Sequence, residues 1–176
     1  LLLEEYADLA SLCEKLQVSV TIDPSVNTLT ISKTGNNCRI VCREAAHYFR
    51  ELNYLLHHSR EDFERQETPF FEKNGFMLDC SRNAVSTPET VKKLIRILAK
   101  AGMNQLLLYT EDTYEVPGLP YFGTYRGRYS QEELRQLDAY AQNFGIELVP
   151  CIQTLAHLRN ALKWPMGQDL KDNADI

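Results

Sequence analysis

The sequence predicts an α/β protein in which a small α+β unit precedes βαβ units built on a parallel sheet. Three short apolar runs carry the prediction, at 75–78, 106–109 and 146–152, and each runs into a cluster of polar side chains. A helical pattern separates each run from the next. Strands covered on both faces need not alternate with polar residues, and strands alternating with helices pair in parallel. In such folds the carboxyl ends of the strands line the active site. Those ends carry Asp79, Ser81, Arg82, Glu111, Asp112, Gln153 and His157, which are therefore the candidate functional residues.

Residues 1–70 read as the α+β unit. Leu9, Leu12, Cys13 and Leu16 recur at helical spacing and predict an opening amphipathic helix. Val18, Val20 and Ile22 alternate as in a strand, Asp23-Pro24-Ser25 turns the chain, and Leu29 with Ile31 alternates again. Gly35-Asn36-Asn37 is a second turn, followed by a strand over 38–42. A helix follows, with Ala45, Tyr48, Phe49, Leu52, Leu55 and Leu56 on its apolar stripe, and His47, His57 and His58 expected in solvent. The charged run 59–67 marks a boundary or an exposed edge strand.

The second part, 75–176, is sharply punctuated. Ser86-Thr87-Pro88-Glu89 supplies a cap, a first-turn proline and a first-turn carboxylate for a helix that buries Val91, Leu94, Ile95 and Leu98 and stops at Gly102. Ser130-Gln131-Glu132-Glu133 is a capping-box pattern. The helix it opens buries Leu134, Leu137, Ala141 and Phe144 and ends at Gly145. Between Asp112 and Ser130 lies a loop rich in Gly, Pro, Tyr and Arg. A long loop after a strand's carboxyl end usually carries function.

Size and composition exclude several classes. At 176 residues the chain is too short for a complete eight-fold barrel, which takes about 250. With 44% hydrophobic and 24% charged residues it is a folding sequence rather than a disordered one. A net charge of −5 argues against nucleic-acid and anionic-membrane partners. No apolar run approaches the roughly 18 residues of a membrane span. The odd count of five cysteines, placed in apolar patterns without a CxxC pair, favours buried free thiols over disulfides or zinc. A reducing cytoplasm is the expected compartment.

The strand ends resemble the opening of the catalytic barrel in glycoside hydrolase family 20, the β-N-acetylhexosaminidases. That barrel begins with an apolar run ending Asp-x-Ser-Arg, here Asp79-Cys80-Ser81-Arg82. Its second strand follows an Asn, here Asn104, and ends in acidic residues, here Glu111-Asp112. Its third typically runs Pro-Glu-x-Asp-x-Pro-Gly-His, against Pro150-Cys151-Ile152-Gln153-Thr154-Leu155-Ala156-His157 here. Glu111 stands where most members have Asp, and Cys151, Gln153, Leu155 and Ala156 replace Glu, Asp, Pro and Gly. Together with the 117–123 loop, these departures resemble a divergent bacterial, cytoplasmic-type branch of exo-β-N-acetylglucosaminidases.

The resemblance implies a small α+β domain over 1–70 followed, over 75–176, by the first three β/α units of a TIM (β/α)8 barrel. It also implies substrate-assisted retaining hydrolysis, in which the sugar's 2-acetamido oxygen attacks the anomeric carbon without metal or cofactor. The family's adjacent Asp-Glu pair, at the end of a fourth strand, is expected beyond Ile176, so the chain reads as the N-terminal part of the enzyme. The implied substrate is a glycan ending in N-acetylglucosamine or N-acetylgalactosamine. Arg82 would bind its 3- and 4-hydroxyls, and Asp112 with His157 would form a hydrogen-bond chain behind the general acid.

Several of these residues keep two readings. Arg82 either forks onto vicinal hydroxyls or forms a salt bridge to Asp79 or Glu111, and both can hold together. Glu111 binds sugar or caps a loop; His157 supports the acid or starts a helix. Trp164, Tyr121, Phe122, Tyr125 and Tyr129 either stack on sugar or pack, whereas Arg126 and Arg128 are expected on a solvated loop face. At the level of the whole molecule the rival is a non-catalytic glycan-binding or scaffold module on the same fold, and a second is another barrel hydrolase. Linkage, gluco- or galacto-preference and oligomeric state are not encoded in these patterns.

Overall fold

The structure is a computed structural model that describes residues 15–172. The opening helix expected around Leu9, Leu12 and Cys13 lies outside the described residues. The chain is a mixed α/β fold that divides into two compact units. One takes in the chain up to Asn74 together with Leu94–Asn104 and Asn143–Ile146; the other comprises Gly75–Lys93, Gln105–Gln142 and the chain from Glu147 onward.

The first unit is built on a four-stranded sheet. Its elements are β1 (Gln17–Ile22), β2 (Leu29–Thr34), β3 (Asn37–Cys42), helix α1 (Ala45–His57) and β4 (Phe63–Glu67), with strand order β1-β3-β2-β4. β1 pairs with β3 in parallel, and β2 runs antiparallel to both β3 and β4. The Asp23 carboxylate accepts from the Ser25 backbone N–H at 2.9 Å and from its hydroxyl at 2.6 Å, closing the turn after β1. The charged run at 59–67 resolves as the edge strand β4. Alternation in β2 and β3 sends Leu29, Ile31, Cys38, Ile40 and Cys42 to one face, where they meet Leu52 and Leu55 of α1. Fully burying an Ile such as Ile31 or Ile40 stabilises the fold by roughly 1.5–3 kcal/mol.

The buried face of α1 is rotated from the expected stripe. It holds Ala46, His47, Glu51, Leu52 and Leu55. His47, expected in solvent, is buried, with Nε2 3.3 Å from Glu44 Oε1. Burial lowers its pKa, with Glu44 opposing. Glu51 is buried against Arg65 of β4 at 3.1 Å, and burial raises its carboxyl despite that partner. The polar residues go inside because partners meet them there, which apolar periodicity cannot register.

The second unit carries β5 (Gly75–Asp79), β6 (Gln105–Glu111) and β7 (Glu147–Ile152), parallel and in the order β5-β6-β7. Helix α2 (Pro88–Lys100) follows β5 and α3 (Gln131–Gln142) follows β6. Central β6 buries Leu106 and Leu108, whereas the edge strands expose Phe76, Met77 and Ile152. Coverage on both faces, expected for all three runs, therefore does not extend to the edges. The caps fall where the sequence puts them. Thr87 Oγ1 accepts from Thr90 N–H at 3.3 Å, and Ser130 and Glu133 exchange the two capping-box bonds at 2.8 and 3.1 Å. Gly145 has φ +68°, and a Cβ there would lie 2.7 Å from the Ala46 nitrogen, so both conformation and space demand glycine. A short helix α4 (Arg159–Leu162) and a 3₁₀ turn (Pro165–Leu170) follow β7.

Candidate active site at the strand ends

Parallel register brings Asp79 opposite Tyr109, and Tyr109 opposite Cys151, so the three carboxyl ends share one edge. Asp79 is held from three sides. The Ser81 N–H and hydroxyl donate to its Oδ1 at 2.8 and 2.7 Å, and Arg82 Nη1 donates to Oδ2 at 2.6 Å. Desolvation pushes the Asp79 carboxyl up, but the Ser81 bonds and then Arg82 outweigh it and pull the pKa down to about 2. Asp79 is thus an ionised orienter of the guanidinium.

Arg82 is 57% exposed and reaches further than this one partner. Its Nη2 stands 3.8 Å from Glu111 Oε1, and its guanidinium lies 5.1 Å from the centre of the Tyr109 ring. The Tyr109 hydroxyl donates to Glu111 at 3.2 Å and accepts from Gln153 Nε2 at 2.5 Å. The β6–β7 register shifts between Tyr109 and Glu111, and Glu111 adopts φ +50°. Such a bulge re-aims a side chain, and a left-handed non-glycine residue is strain commonly found at functional sites. The edge therefore presents one exposed cationic fork, oriented by the half-exposed Asp79 carboxylate and backed by the buried Glu111, a set suited to hydroxyl groups.

Asp112 turns inward instead. It is 2% exposed and ion-paired with Arg126, whose Nη1 also stands 3.7 Å from Glu111 Oε2. Burial raises the Asp112 carboxyl, with Arg126 opposing. Arg126 was expected on a solvated loop face; in the structure it is only 20% exposed and joins both strand-end acids. Sequence reasoning missed it because nothing in a loop's periodicity marks a partner 14 residues away. His157 is exposed, with φ +58°, and among the described residues no hydrogen bond or ion pair links it to Asp112. Ser81 is buried, serving Asp79.

The loop after β6 is pinned at its base. Tyr129 N–H donates to Thr113 O at 3.1 Å and Glu115 N–H to Tyr129 O at 2.9 Å. Tyr129 is a packing residue, 1% exposed, and its hydroxyl donates to Ser86 O at 2.6 Å. Phe122 packs edge-on against Tyr114. Gly123, at φ +69°, lies so close to Asp112 that a Cβ would come within 2.6 Å of the Asp112 carbonyl oxygen. Cys38, Cys42 and Cys80 are buried free thiols and Cys151 is half-buried. Among the described residues no group of three His, Cys, Asp or Glu could hold a metal, and no helix is long and apolar enough to cross a membrane.

A mixed α/β fold with polar clusters at the carboxyl ends of a parallel sheet defines the class, and comparison with known proteins gives the family. Residues 71–174 match the model of the glycosyl hydrolase family 20 catalytic domain, and the chain belongs to that family. It is 32% identical over 133 residues to a beta-hexosaminidase of Vibrio furnissii, covering 59% of this chain and 22% of that one. It is 27% identical over 126 residues to the probable beta-hexosaminidase fdl of Drosophila melanogaster, covering 66% and 19%. The chain thus spans about a fifth of the length of these relatives.

Solved structures share the fold. An exo-β-N-acetylglucosaminidase of Vibrio harveyi, solved with N-acetylglucosamine, superposes with a TM-score of 0.70 at 22% identity, over 83% of this chain and 28% of that one. A β-N-acetylhexosaminidase of Bacteroides fragilis gives 0.72 at 23%, over 88% and 40%.

Proposed function

We propose that this chain is the N-terminal part of a cytoplasmic exo-β-N-acetylhexosaminidase that removes terminal N-acetylhexosamine by substrate-assisted, retaining hydrolysis. In this reading 1–70 is an α+β domain and 75–176 opens a (β/α)8 barrel with its first three β/α units. Family membership and the length of the relatives support it, and the buried thiols of Cys38, Cys42 and Cys80 suit a reducing compartment.

The observation that carries the reading is the Asp79–Arg82–Glu111 arrangement. Asp79 and Glu111 fix a planar fork at the strand ends, leaving it exposed to receive the 3- and 4-hydroxyls of the terminal sugar, with Glu111 as a second acceptor. Asp112, held by Arg126, and His157 would stand behind the general acid. The acid Glu and the Asp that orients the acetamido group are, by resemblance, an adjacent Asp-Glu pair, and no Asp-Glu dipeptide occurs in these 176 residues. The acetamido oxygen then acts as nucleophile, and the same Glu protonates the leaving oxygen and later activates water.

Chemical-shift titration of the 176-residue chain with N-acetylglucosamine, and a chromogenic β-N-acetylglucosaminide assay, test this. Binding at the 79–82 and 109–112 resonances without turnover is expected from the chain, with turnover from the longer protein. Robust turnover by the chain, or binding centred elsewhere, overturns the proposal.

A further inference from the structure

Tyr109 reads in the sequence as one more apolar position of its strand, yet the strand-end cluster turns on it. Its backbone is locked in central β6. The carbonyl accepts from Cys80 N–H at 2.8 Å, and the residue stands in register with Asp79 on one side and Cys151 on the other. From this fixed base the half-buried side chain makes three contacts. The Arg82 guanidinium lies over its ring, 5.1 Å from the centre, while the hydroxyl donates to Glu111 Oε1 at 3.2 Å and accepts from Gln153 Nε2 at 2.5 Å. Arg82 and Arg126 stand 3.8 and 3.7 Å from the Glu111 carboxylate, beyond hydrogen-bond distance. Among the described residues, therefore, Tyr109 supplies the hydrogen bond that fixes Glu111.

We propose that Tyr109 is the positioning residue of the arginine fork: its ring carries the Arg82 guanidinium, and its hydroxyl, held by Gln153, sets the Glu111 carboxylate behind it. The inference rests on the function proposed above and deepens it, since the fork is the group that receives the sugar. Asp79 holds Nη1 of Arg82, and one such bond leaves the guanidinium free to swing about it; the ring removes that freedom. The direction of the hydroxyl relay follows from charge. A carboxylate at 111 can only accept, so the hydroxyl gives its proton to Glu111, and its lone pair takes an N–H that the amide at 153 provides. A carboxylate at 153 would compete for that same proton. Gln153, standing where the family usually has Asp, therefore matches Tyr109 and Glu111 as a set.

Substitutions separate the ring from the hydroxyl, and the first measurement needs no ligand. In the 176-residue chain, a ring this close to the guanidinium shifts the Arg82 Nε–H resonance by its ring current. Tyr109→Phe should keep that shift and Tyr109→Leu should abolish it. Affinity for N-acetylglucosamine, read by chemical-shift titration, should fall about twofold to tenfold in Tyr109→Phe, the worth of one hydrogen bond. Tyr109→Leu should lose about twofold to fivefold more, the worth of an exposed cation–π contact. Gln153→Met, of matching length but without the amide, should weaken binding about twofold in the wild type. It should add nothing in the Tyr109→Phe background, where the hydroxyl it serves is gone, a coupling that a purely structural role would not produce.

An Arg82 resonance unmoved by Tyr109→Leu overturns the proposal. So does wild-type affinity in Tyr109→Leu where Arg82→Ala weakens binding, and so do strictly additive losses from Gln153→Met and Tyr109→Phe. If Arg82→Ala itself leaves sugar binding intact, the strand-end function fails instead, and the Arg82 resonance alone decides whether Tyr109 holds the guanidinium.

Discussion

Arg126 reaches across 14 residues of loop to neutralise the buried carboxylate of Asp112. The pair explains how a Gly- and Pro-rich segment stays registered over the strand ends. The loop is closed at its base by Tyr129, tied to the strand-end acids by Arg126 and held within itself by Arg128, which donates to the Pro120 and Phe122 carbonyls, with Gly123 allowing close approach to the Asp112 carbonyl.

Removing the arginine should be costly. Arg126→Ala leaves Asp112, 2% exposed, without its cation, and losing one partner of a buried pair typically costs about 3–5 kcal/mol. Arg126 retains some exposure, so the lower end is expected. The double variant Asp112→Asn/Arg126→Ala should recover much of the loss, since the Asp112 charge goes with its cation and Glu111 keeps Arg82 as a partner. Urea denaturation of the wild type, both single variants and the double variant gives the coupling energy.

Arg82 behaves differently because its partner Asp79 is open to water. Exposed ion pairs contribute about 0–1 kcal/mol, so Arg82→Ala should barely shift the denaturation midpoint. Affinity for N-acetylglucosamine should fall by on the order of 1.5–3 kcal/mol per lost charge-assisted hydrogen bond. Lys at 82 should restore little, because an ammonium cannot reproduce the planar fork. Calorimetric titration with melting curves separates the two effects. Unchanged affinity would leave Arg82 a structural role alone, and a large fall in melting temperature would favour the salt bridge.

The acids at the two strand ends give opposite pH signatures. Asp79 is depressed in the fold from 3.8 to about 2, so its contribution is complete above pH 4 and disappears as pH falls toward 2. Asp112 is raised by burial, so its cost is relieved as pH falls from its folded pKa toward 3.8. The wild-type acid limb sums both. The difference between wild type and Asp79→Asn isolates the first, and should shrink steadily from pH 4 to pH 2 in urea denaturation. Because the Asp79 side chain is 39% exposed, solvent screening keeps that difference small.

The elements were legible because each rests on a local rule. Alternation exposed β2 through Leu29 and Ile31, helical spacing exposed α2 through Val91, Ile95 and Leu98, and the Ser130–Glu133 box marked the start of α3. What escaped depends on contacts across the sequence. His47 and Glu51 are polar yet buried, because Glu44 and Arg65 meet them there. Phe76 and Met77 are apolar yet exposed, because β5 is an edge strand. At the site, strand-end position was enough to select Asp79, Arg82, Glu111 and Asp112, whereas the geometry tying Arg126 to Asp112 exists only in three dimensions.

Gly123 offers a test of the loop that needs no ligand. Gly123 and Gly118 both have positive φ, +69° and +81°, but a Cβ at Gly118 meets nothing within 4 Å, whereas at Gly123 it meets the Asp112 carbonyl oxygen at 2.6 Å. Alanine at either position bears the conformational penalty of about 1–2 kcal/mol. Only Gly123→Ala adds a clash with backbone, of the kind that typically costs a further 1–3 kcal/mol or so through forced displacement. Gly123→Ala should therefore be the more destabilising in urea denaturation. It should also shift Trp164 emission, since Tyr121, two residues earlier, stacks on that ring. Gly118→Ala should leave the emission unchanged. Equal destabilisation by the two substitutions, with Trp164 silent in both, would show that the loop does not depend on close approach to Asp112.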